Sequence, residues 1–390
     1  MSTASAPARA GPPDQAAAST RLVSLDLVRV AIIVMVIVHH AAQAYGPTGG
    51  AWPVTDPASS NWFRPFYTVN ASVGLGLLFL VAGYLVPRSY DKKGPRRFLI
   101  DRWRRIGIPL VVFALGVHLP LFYLFVSRPP VGELIALLWE SGWQGIYLHL
   151  WFLGHLLLYS GAYVAWRRFR QRKLGPVRIL SPPSHTAILG FVFGLAVLTW
   201  IVRWWWPIDD WVPLLGILAA EPANLLQYVS LFVLGAIAHR NDWFRRIPTR
   251  VGAVWLLIGL AAAGFIYALE ARGRFNEVVA TGGANLGSLL LTTLSALICT
   301  GLSVGLIVVA RSVVRRPLRL LTFMASTSYA AYILHLWIVS GLQAGLLSFD
   351  WPVAAKFALV SVMGIALSFG AGHISAKVPG LRTILGTSSR

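Results

Sequence analysis

Arg29 and His40 stand eleven positions apart in the first strongly apolar stretch of the chain, which opens Leu25-Asp26-Leu27-Val28-Arg29 and reaches His39-His40. At about 100° per residue, eleven residues carry a helix through about 1100°, so both side chains fall on one face, roughly 16 Å apart along the axis. His39 points about 100° away from that line. A guanidinium near one side of a membrane and an imidazole deeper on the same stripe suit a long ligand with a phosphate end and a reactive end. Ionisable groups inside membrane helices are costly, which makes each a functional candidate. For His40 taken alone, a satisfied interhelical hydrogen bond is the plainer reading.

A second concentration of chemistry is Arg96-Arg97-Phe98-Leu99-Ile100-Asp101-Arg102-Trp103-Arg104-Arg105, with five arginines in ten positions. The rigid fork of donors on arginine fits phosphate better than a lysine point charge does. For any one of these arginines a solvated, orientation-setting charge is the plainer reading, and the cluster as a unit carries the case for phosphate. Further imidazoles occur in His149-Leu150-Trp151-Phe152-Leu153-Gly154-His155 and at the end of Ser326-Thr327-Ser328-Tyr329-Ala330-Ala331-Tyr332-Ile333-Leu334-His335. Counted from the segment ends, His40, His149 and His335 fall in the outer half of a bilayer. His118 and His373 have no such company and read as packing residues. No His/Asp/Glu cluster has metal-ligand spacing such as HExxH, and there is no P-loop, GxGxxG or GxSxG run. Neither a metal nor a permanently bound cofactor is expected. The single cysteine, Cys299, excludes a disulfide framework and a CxxC site.

The elements that must position these residues are membrane helices. Hydrophobic residues make up 56% of the 390, charged residues only 12%, and the mean hydropathy is +0.65. A soluble domain carries about twice that charge fraction. Ten apolar segments are predicted, near 25–45, 67–86, 106–126, 146–166, 186–205, 223–239, 251–270, 285–310, 318–345 and 353–373. They lack the alternation of strands, so the expected fold is all-α and polytopic with ten transmembrane helices. With both termini cytoplasmic, 28 of the 34 basic residues lie on the inner side, and nine of the fourteen acidic residues lie outside. The net charge of +20 then reports topology and lipid headgroup contact, and the case for a nucleic-acid partner disappears. Ten of the sixteen tryptophans, Trp52 among them, fall at or beyond the outer boundary and read as an interfacial aromatic belt, with stacking on a sugar or other flat acceptor as the sharper alternative. Residues 1–20, rich in Ala, Ser and Pro, are expected to be a disordered cytoplasmic tail, 21–375 the membrane domain, and 376–390 a second cytoplasmic tail. Ala42-Gln43-Ala44 imitates a signal-cleavage site, but Asp26, Arg29, His39 and His40 spoil the segment before it.

Taken in order, these stretches resemble the membrane-bound acyltransferase 3 family. The resemblance rests on Leu25-Asp26 with the Arg29-x10-His40 spacing, on Leu78-Phe79-Leu80-Val81-Ala82-Gly83-Tyr84 in place of an FFxLSGY-like run, and on Arg102-x-x-Arg105 leading into Ile108-Pro109. His149-Leu150-Trp151-Phe152-Leu153 and Ser328-Tyr329 to His335 complete it. Val81-Ala82 departs from the usual Leu-Ser, which puts any role for that serine in doubt. The family includes bacterial O-acetyltransferases of surface polysaccharides, succinyltransferases of periplasmic glucans and macrolide acyltransferases. The resemblance therefore implies a multi-pass protein of the inner (plasma) membrane. It would use cytoplasmic acyl-CoA, acetyl-CoA foremost, as donor and a hydroxyl of a carbohydrate, glycolipid or glycosylated small molecule as acceptor. It makes His40 the catalytic residue and assigns Arg29, Arg102 and Arg105 to the donor. His149, Trp151, Tyr329 and His335, in the remaining matched stretches, are candidates for binding substrate. The chief rival is a transporter or flippase that moves a glycan or lipid without reacting it. Such folds often carry inverted repeats, and none is visible here. A membrane scaffold has no reason to bury His40 in register with Arg29.

Overall fold

The computed structural model describes residues 12–47, 52–125, 128–173, 179–314, 316 and 318–385. The chain runs α1 (Pro12–Ala42), α2 (Arg64–Arg102), α3 (Ile108–Phe113), α4 (Leu119–Phe125), α5 (Val131–Glu140), α6 (Gln144–Tyr147), α7 (Trp151–Lys173) and α8 (His185–Val202). A two-stranded antiparallel hairpin follows, β1 (Val212–Leu214) and β2 (Leu218–Ala220), with Val212 opposite Ala220. Then come α9 (Pro222–Arg240), α10 (Trp243–Arg246), α11 (Thr249–Ala271), α12 (Phe275–Val278), α13 (Leu286–Val313), α14 (Arg319–Gly345), α15 (Val353–Ser375) and α16 (Pro379–Ile384). The fold is all-α apart from that hairpin. α1 begins at Pro12, inside the stretch 1–20 for which no order was expected, and residues 1–11 and 386–390 of the two tails lie outside the described residues.

Among the described residues, eight helical stretches are long and apolar enough to cross a membrane. One of them, Asn61–Leu124, holds 64 residues and contains both predicted segments 67–86 and 106–126. Straight, it would reach about 96 Å, roughly three times the hydrocarbon thickness. It is not straight. Gly94, with φ 71°, breaks the helix between Pro87 and Pro95, and a side chain at that φ would be strained. α14 matches the predicted 318–345 segment but is less apolar than the eight. Its Thr327, Ser328, His335, Ser340 and Gln343 are buried against the rest of the protein, so polarity here marks an interior helix.

Packing follows the small residues. α2 lies against α9 through Gly83 and Gly235, where a Cβ would meet the Phe232 carbonyl oxygen at 2.0 Å or that of Leu80 at 2.1 Å. Such close backbone approach is how membrane helices associate when burial of apolar surface gives them no advantage. Gly83 belongs to the Leu78–Tyr84 run, and the neighbouring Tyr84 stacks on Phe244 with ring centroids 4.2 Å apart. That motif is a helix crossing. α11 packs on α13, and α14 packs between α1 and α15. The pairing of α1 with α14 builds the site.

Candidate active site

α1 and α14 meet at two levels. Near the start of the apolar part of α1, Arg29 Nη2 donates to the Ala325 carbonyl of α14 at 2.8 Å and pairs with Asp26 at 3.0 Å. Eleven residues on, His40 Nδ1 lies 2.7 Å from His335 Nε2, ten residues beyond Ala325. The two helices thus run alongside one another in matched register, each rising about 15–16 Å between the two contacts. Arg29 and His40 share the α14 face. His39 turns towards α2, where its ring packs on Phe66 and Tyr67.

Hydrogen-bond logic fixes the tautomers. His335 Nδ1 lies 2.5 Å from the Tyr332 carbonyl, which can only accept, so this nitrogen carries the hydrogen. In the neutral ring Nε2 is then the acceptor, and the 2.7 Å contact takes its hydrogen from His40 Nδ1. His40 Nε2 is left with a lone pair and no protein partner among the described residues. The two rings are stacked, 4.9 Å between centroids and 3° between planes. One imidazole therefore orients the other, as an orienting group does in catalytic triads.

His149 completes the cluster. Its Nε2 donates to the Ile333 carbonyl at 3.1 Å, its backbone oxygen accepts from the Tyr332 hydroxyl, and its ring meets His335 edge-on at 4.8 Å. Its Nδ1 is buried with no partner. His118 joins as well. It donates from Nδ1 to the Ile146 carbonyl at 2.9 Å, and its ring stands 5.9 Å from that of His149. The reading of His118 as a residue without company is corrected: the broken helix α3–α4 brings it beside the α6–α7 junction, a proximity that spacing along the chain does not encode. His373 is exposed, with its ring 5.4 Å from that of Phe323.

The end of α1 is held by side chains. The last carbonyls of a helix lack intrahelical partners. Here Gln343 Nε2 donates to the His40 and Ala41 oxygens at 2.9 and 3.0 Å, and the Tyr67 hydroxyl donates to the Ala42 oxygen at 2.5 Å. Gln343 Oε1 accepts from Trp52 Nε1 at 2.7 Å, and the Trp52 ring lies 5.0 Å from that of His40. Trp52, counted with the interfacial belt in the sequence, covers the imidazole instead. Its segment is pinned by Asp56, which pairs with Lys356 at 2.7 Å, both side chains less than 5% exposed. Gln343→Leu would orphan two carbonyls and an indole N–H, at about 1–3 kcal/mol for each buried group left unpaired. This variant is expected to melt at lower temperature in detergent and to lose activity; an unchanged melting curve would contradict the clamp.

The remaining candidates divide. The Tyr329 hydroxyl donates to the Arg105 backbone oxygen at 2.6 Å, so Tyr329 ties the arginine turn to α14 and is not beside His40. Trp151 is buried among His155, Trp211 and Tyr228, facing α9 and the hairpin. Neither contacts His40 among the described residues. Arg105 is exposed, with Nε 3.0 Å from Asp101, and Arg102 lies with its guanidinium carbon 5.1 Å from the Phe98 ring centre. Residues Trp103–Gly107 form a π-type turn, a distortion frequent at functional sites. Arg29, through Ala325, and the Arg105 backbone, through Tyr329, thus each bond to the first half of α14, and His40, His149 and His335 cluster around its middle. Tyr332 and Gln343 escaped the sequence reading, although their separation by eleven positions, the same as Arg29 to His40, puts them on one face of α14.

A family description, Acyltransferase domain, matches residues 22–373, almost the whole membrane part of the chain. The chain belongs to this acyltransferase 3 family, and its apolar helices make it a multi-pass membrane protein. A curated relative, glucans biosynthesis protein C of Salmonella schwarzengrund, is 24% identical over 258 residues, which are 64% of this chain and 66% of that protein. The chain thus spans just under two thirds of that relative's length. No solved structure matches.

Proposed function

We propose that this acyltransferase moves an acyl group, acetyl foremost, from cytoplasmic acyl-CoA to a hydroxyl of a carbohydrate, glycolipid or glycosylated small molecule. One observation carries this reading: the Tyr332–His335–His40 chain leaves Nε2 of His40 as an oriented lone pair in register with Arg29. Coenzyme A is polyanionic at its nucleotide end and carries the thioester at the end of a long pantetheine arm. Arg29, Arg102 and Arg105 hold the phosphates, and the arm reaches along α14 to His40. The acceptor hydroxyl gives its proton to Nε2 as its oxygen attacks the thioester carbonyl. The tetrahedral intermediate collapses, the C–S bond breaks, and the imidazolium returns the proton to the departing thiolate. Acyl transfer through His40 itself balances the same atoms in two steps. The name of the glucan-related protein supports a carbohydrate acceptor. Mass spectrometry of surface glycans and secreted metabolites from cells with and without the protein tests the proposal. Loss of an acyl mass from a glycan or glycoside is expected; identical acylation in both strains would contradict it.

The reading includes ten crossings of the inner membrane, with both termini cytoplasmic. Asp210 and Arg168 then lie on opposite sides and are both exposed, whereas the native Cys299 is buried and silent. A thiol reagent that cannot cross the membrane should label Asp210→Cys in intact cells and not Arg168→Cys. Labelling of the Arg168 position from outside would contradict this topology.

A further inference from the structure

One oxygen atom brings two guanidinium groups together. The hydroxyl of Tyr163, in the second half of α7, accepts from Arg167 Nη1 at 3.0 Å and from Arg240 Nη2, at the end of α9, also at 3.0 Å. The two nitrogens therefore lie no farther apart than twice that distance, which is the span of a single phosphate group. Like charges this close repel. One carboxylate is paired with them: Asp91 lies 3.1 Å from Arg167 Nη1, with its side chain 53% exposed. Arg240 forms no ion pair among the described residues, and its Nε is buried without a partner. A neutral tyrosine oxygen thus serves two cations, where anionic oxygen makes bonds about twice as strong.

This pair is continuous with the arginine turn. The bend at Gly94 folds the chain so that Phe98 meets Tyr90 edge-on, 5.9 Å between centroids, and Tyr90 in turn meets Tyr163 at 5.7 Å. The guanidinium carbon of Arg102 lies 5.1 Å from the Phe98 ring centre, and that of Arg167 lies 4.9 Å from the Tyr90 ring centre. All three rings are buried, so they form a fixed floor beneath the cations. Arg102 Nε is, like Arg240 Nε, buried without a partner. Two separate groups of arginine therefore share one floor, Arg102 with its neighbour Arg105 and Arg167 with Arg240. In the topology proposed above, all four lie on the cytoplasmic side.

Coenzyme A carries two separate phosphate groups, a diphosphate within its arm and a phosphomonoester on its ribose. The monoester approaches two negative charges at neutral pH, and a pair of guanidiniums matches that charge and its three free oxygens. Resting on the donor chemistry above, with Arg102 and Arg105 left to the diphosphate, we propose that Arg167, Arg240 and Tyr163 hold the ribose 3′-phosphate of the donor. The phosphate oxygens would accept from both guanidiniums, and the Tyr163 hydroxyl would turn its hydrogen towards them. The phosphate of an anionic lipid offers the same oxygens, but as a diester with a single charge it answers only one of the two cations.

Calorimetric titration of the purified protein in detergent tests this with coenzyme A and 3′-dephospho-coenzyme A as probes. Wild type should bind coenzyme A about tenfold to a hundredfold more tightly than the dephospho form. Arg240→Met should lower the affinity for coenzyme A to that of the dephospho form and leave the dephospho form unaffected. Arg240→Lys should recover only part of the preference. Arg102→Ala, at the diphosphate, should weaken both probes and keep their ratio. Equal binding of the two probes by wild type, a comparison that needs no variant to fold, would overturn the subsite, as would an intact preference in folded Arg240→Met. Tighter retention of phosphatidylglycerol by wild type than by Arg240→Met, with the two probes bound alike, would give the site to lipid and also overturn the proposal. The two proposals fail separately. Binding of both probes without preference sinks the subsite and leaves the donor reading; binding of neither sinks the donor reading and the subsite with it.

Discussion

His40→Ala is expected to slow acyl transfer by about 10²–10⁴-fold, the range for loss of a positioned general base, in a protein that still folds and still binds donor. The imidazole is half-buried, and its removal orphans only His335 Nε2, so stability falls far less than activity. His39→Ala should be mild in comparison, since that ring touches Phe66 and Tyr67 and faces away from α14. His335 offers the sharper test. His335→Leu removes the acceptor that holds the hydrogen on His40 Nδ1, so the lone pair no longer stays on Nε2. Turnover should fall while the apparent affinity for acyl-CoA stays unchanged. His335→Gln returns an acceptor oxygen near the same place and should recover part of the rate. Equal losses from His39→Ala and His40→Ala would refute the assignment, as would an unimpaired His335→Leu.

The second large effect concerns the donor. If Arg102 and Arg105 clasp phosphates, replacing either by alanine should weaken acyl-CoA binding about tenfold to a hundredfold, the equivalent of a charge-assisted hydrogen bond of about 1.5–3 kcal/mol. Lysine should rescue only partly, because it keeps the charge and loses the two-pronged geometry. Salt should mimic part of the defect, most strongly for the exposed Arg105. The competing role, orientation alone, makes Arg102→Lys and Arg105→Lys behave as wild type. Titration of acetyl-CoA against purified wild-type and lysine variants decides between them. Unchanged affinity in both variants would leave the cluster as a topological signal.

What the chain reveals before it folds depends on the range of the interaction. The helices were legible because apolarity over about 20 residues leaves the backbone no other way to satisfy itself in lipid. The shared face of Arg29 and His40 was legible because it lies within one helix, where 3.6 residues per turn is sufficient. Contacts between distant segments were not. His335 meets His40 across 295 positions, and Gln343 grips the end of α1 across 303. Trp52 looked like any interfacial tryptophan until its indole N–H found Gln343. Tyr329 and Trp151 stand in matched stretches, but their partners, the arginine turn for one and Trp211 and Tyr228 for the other, were not legible along the chain. The bend at Gly94 falls between the predicted segments 67–86 and 106–126, where a break in the helix was expected.

The most direct measurement follows label from [1-¹⁴C]acetyl-CoA in proteoliposomes containing wild-type protein or His40→Ala, supplied with the glycan and glycolipid fraction of the cells that make the protein. Wild type should release free thiol and transfer label to the glycan fraction in equal amounts, in an alkali-labile form expected of an ester. His40→Ala should do neither above background, although it binds acetyl-CoA normally. Label that stays on coenzyme A with wild-type protein, or that reaches the glycan at the same rate with His40→Ala, would contradict acyl transfer driven by His40.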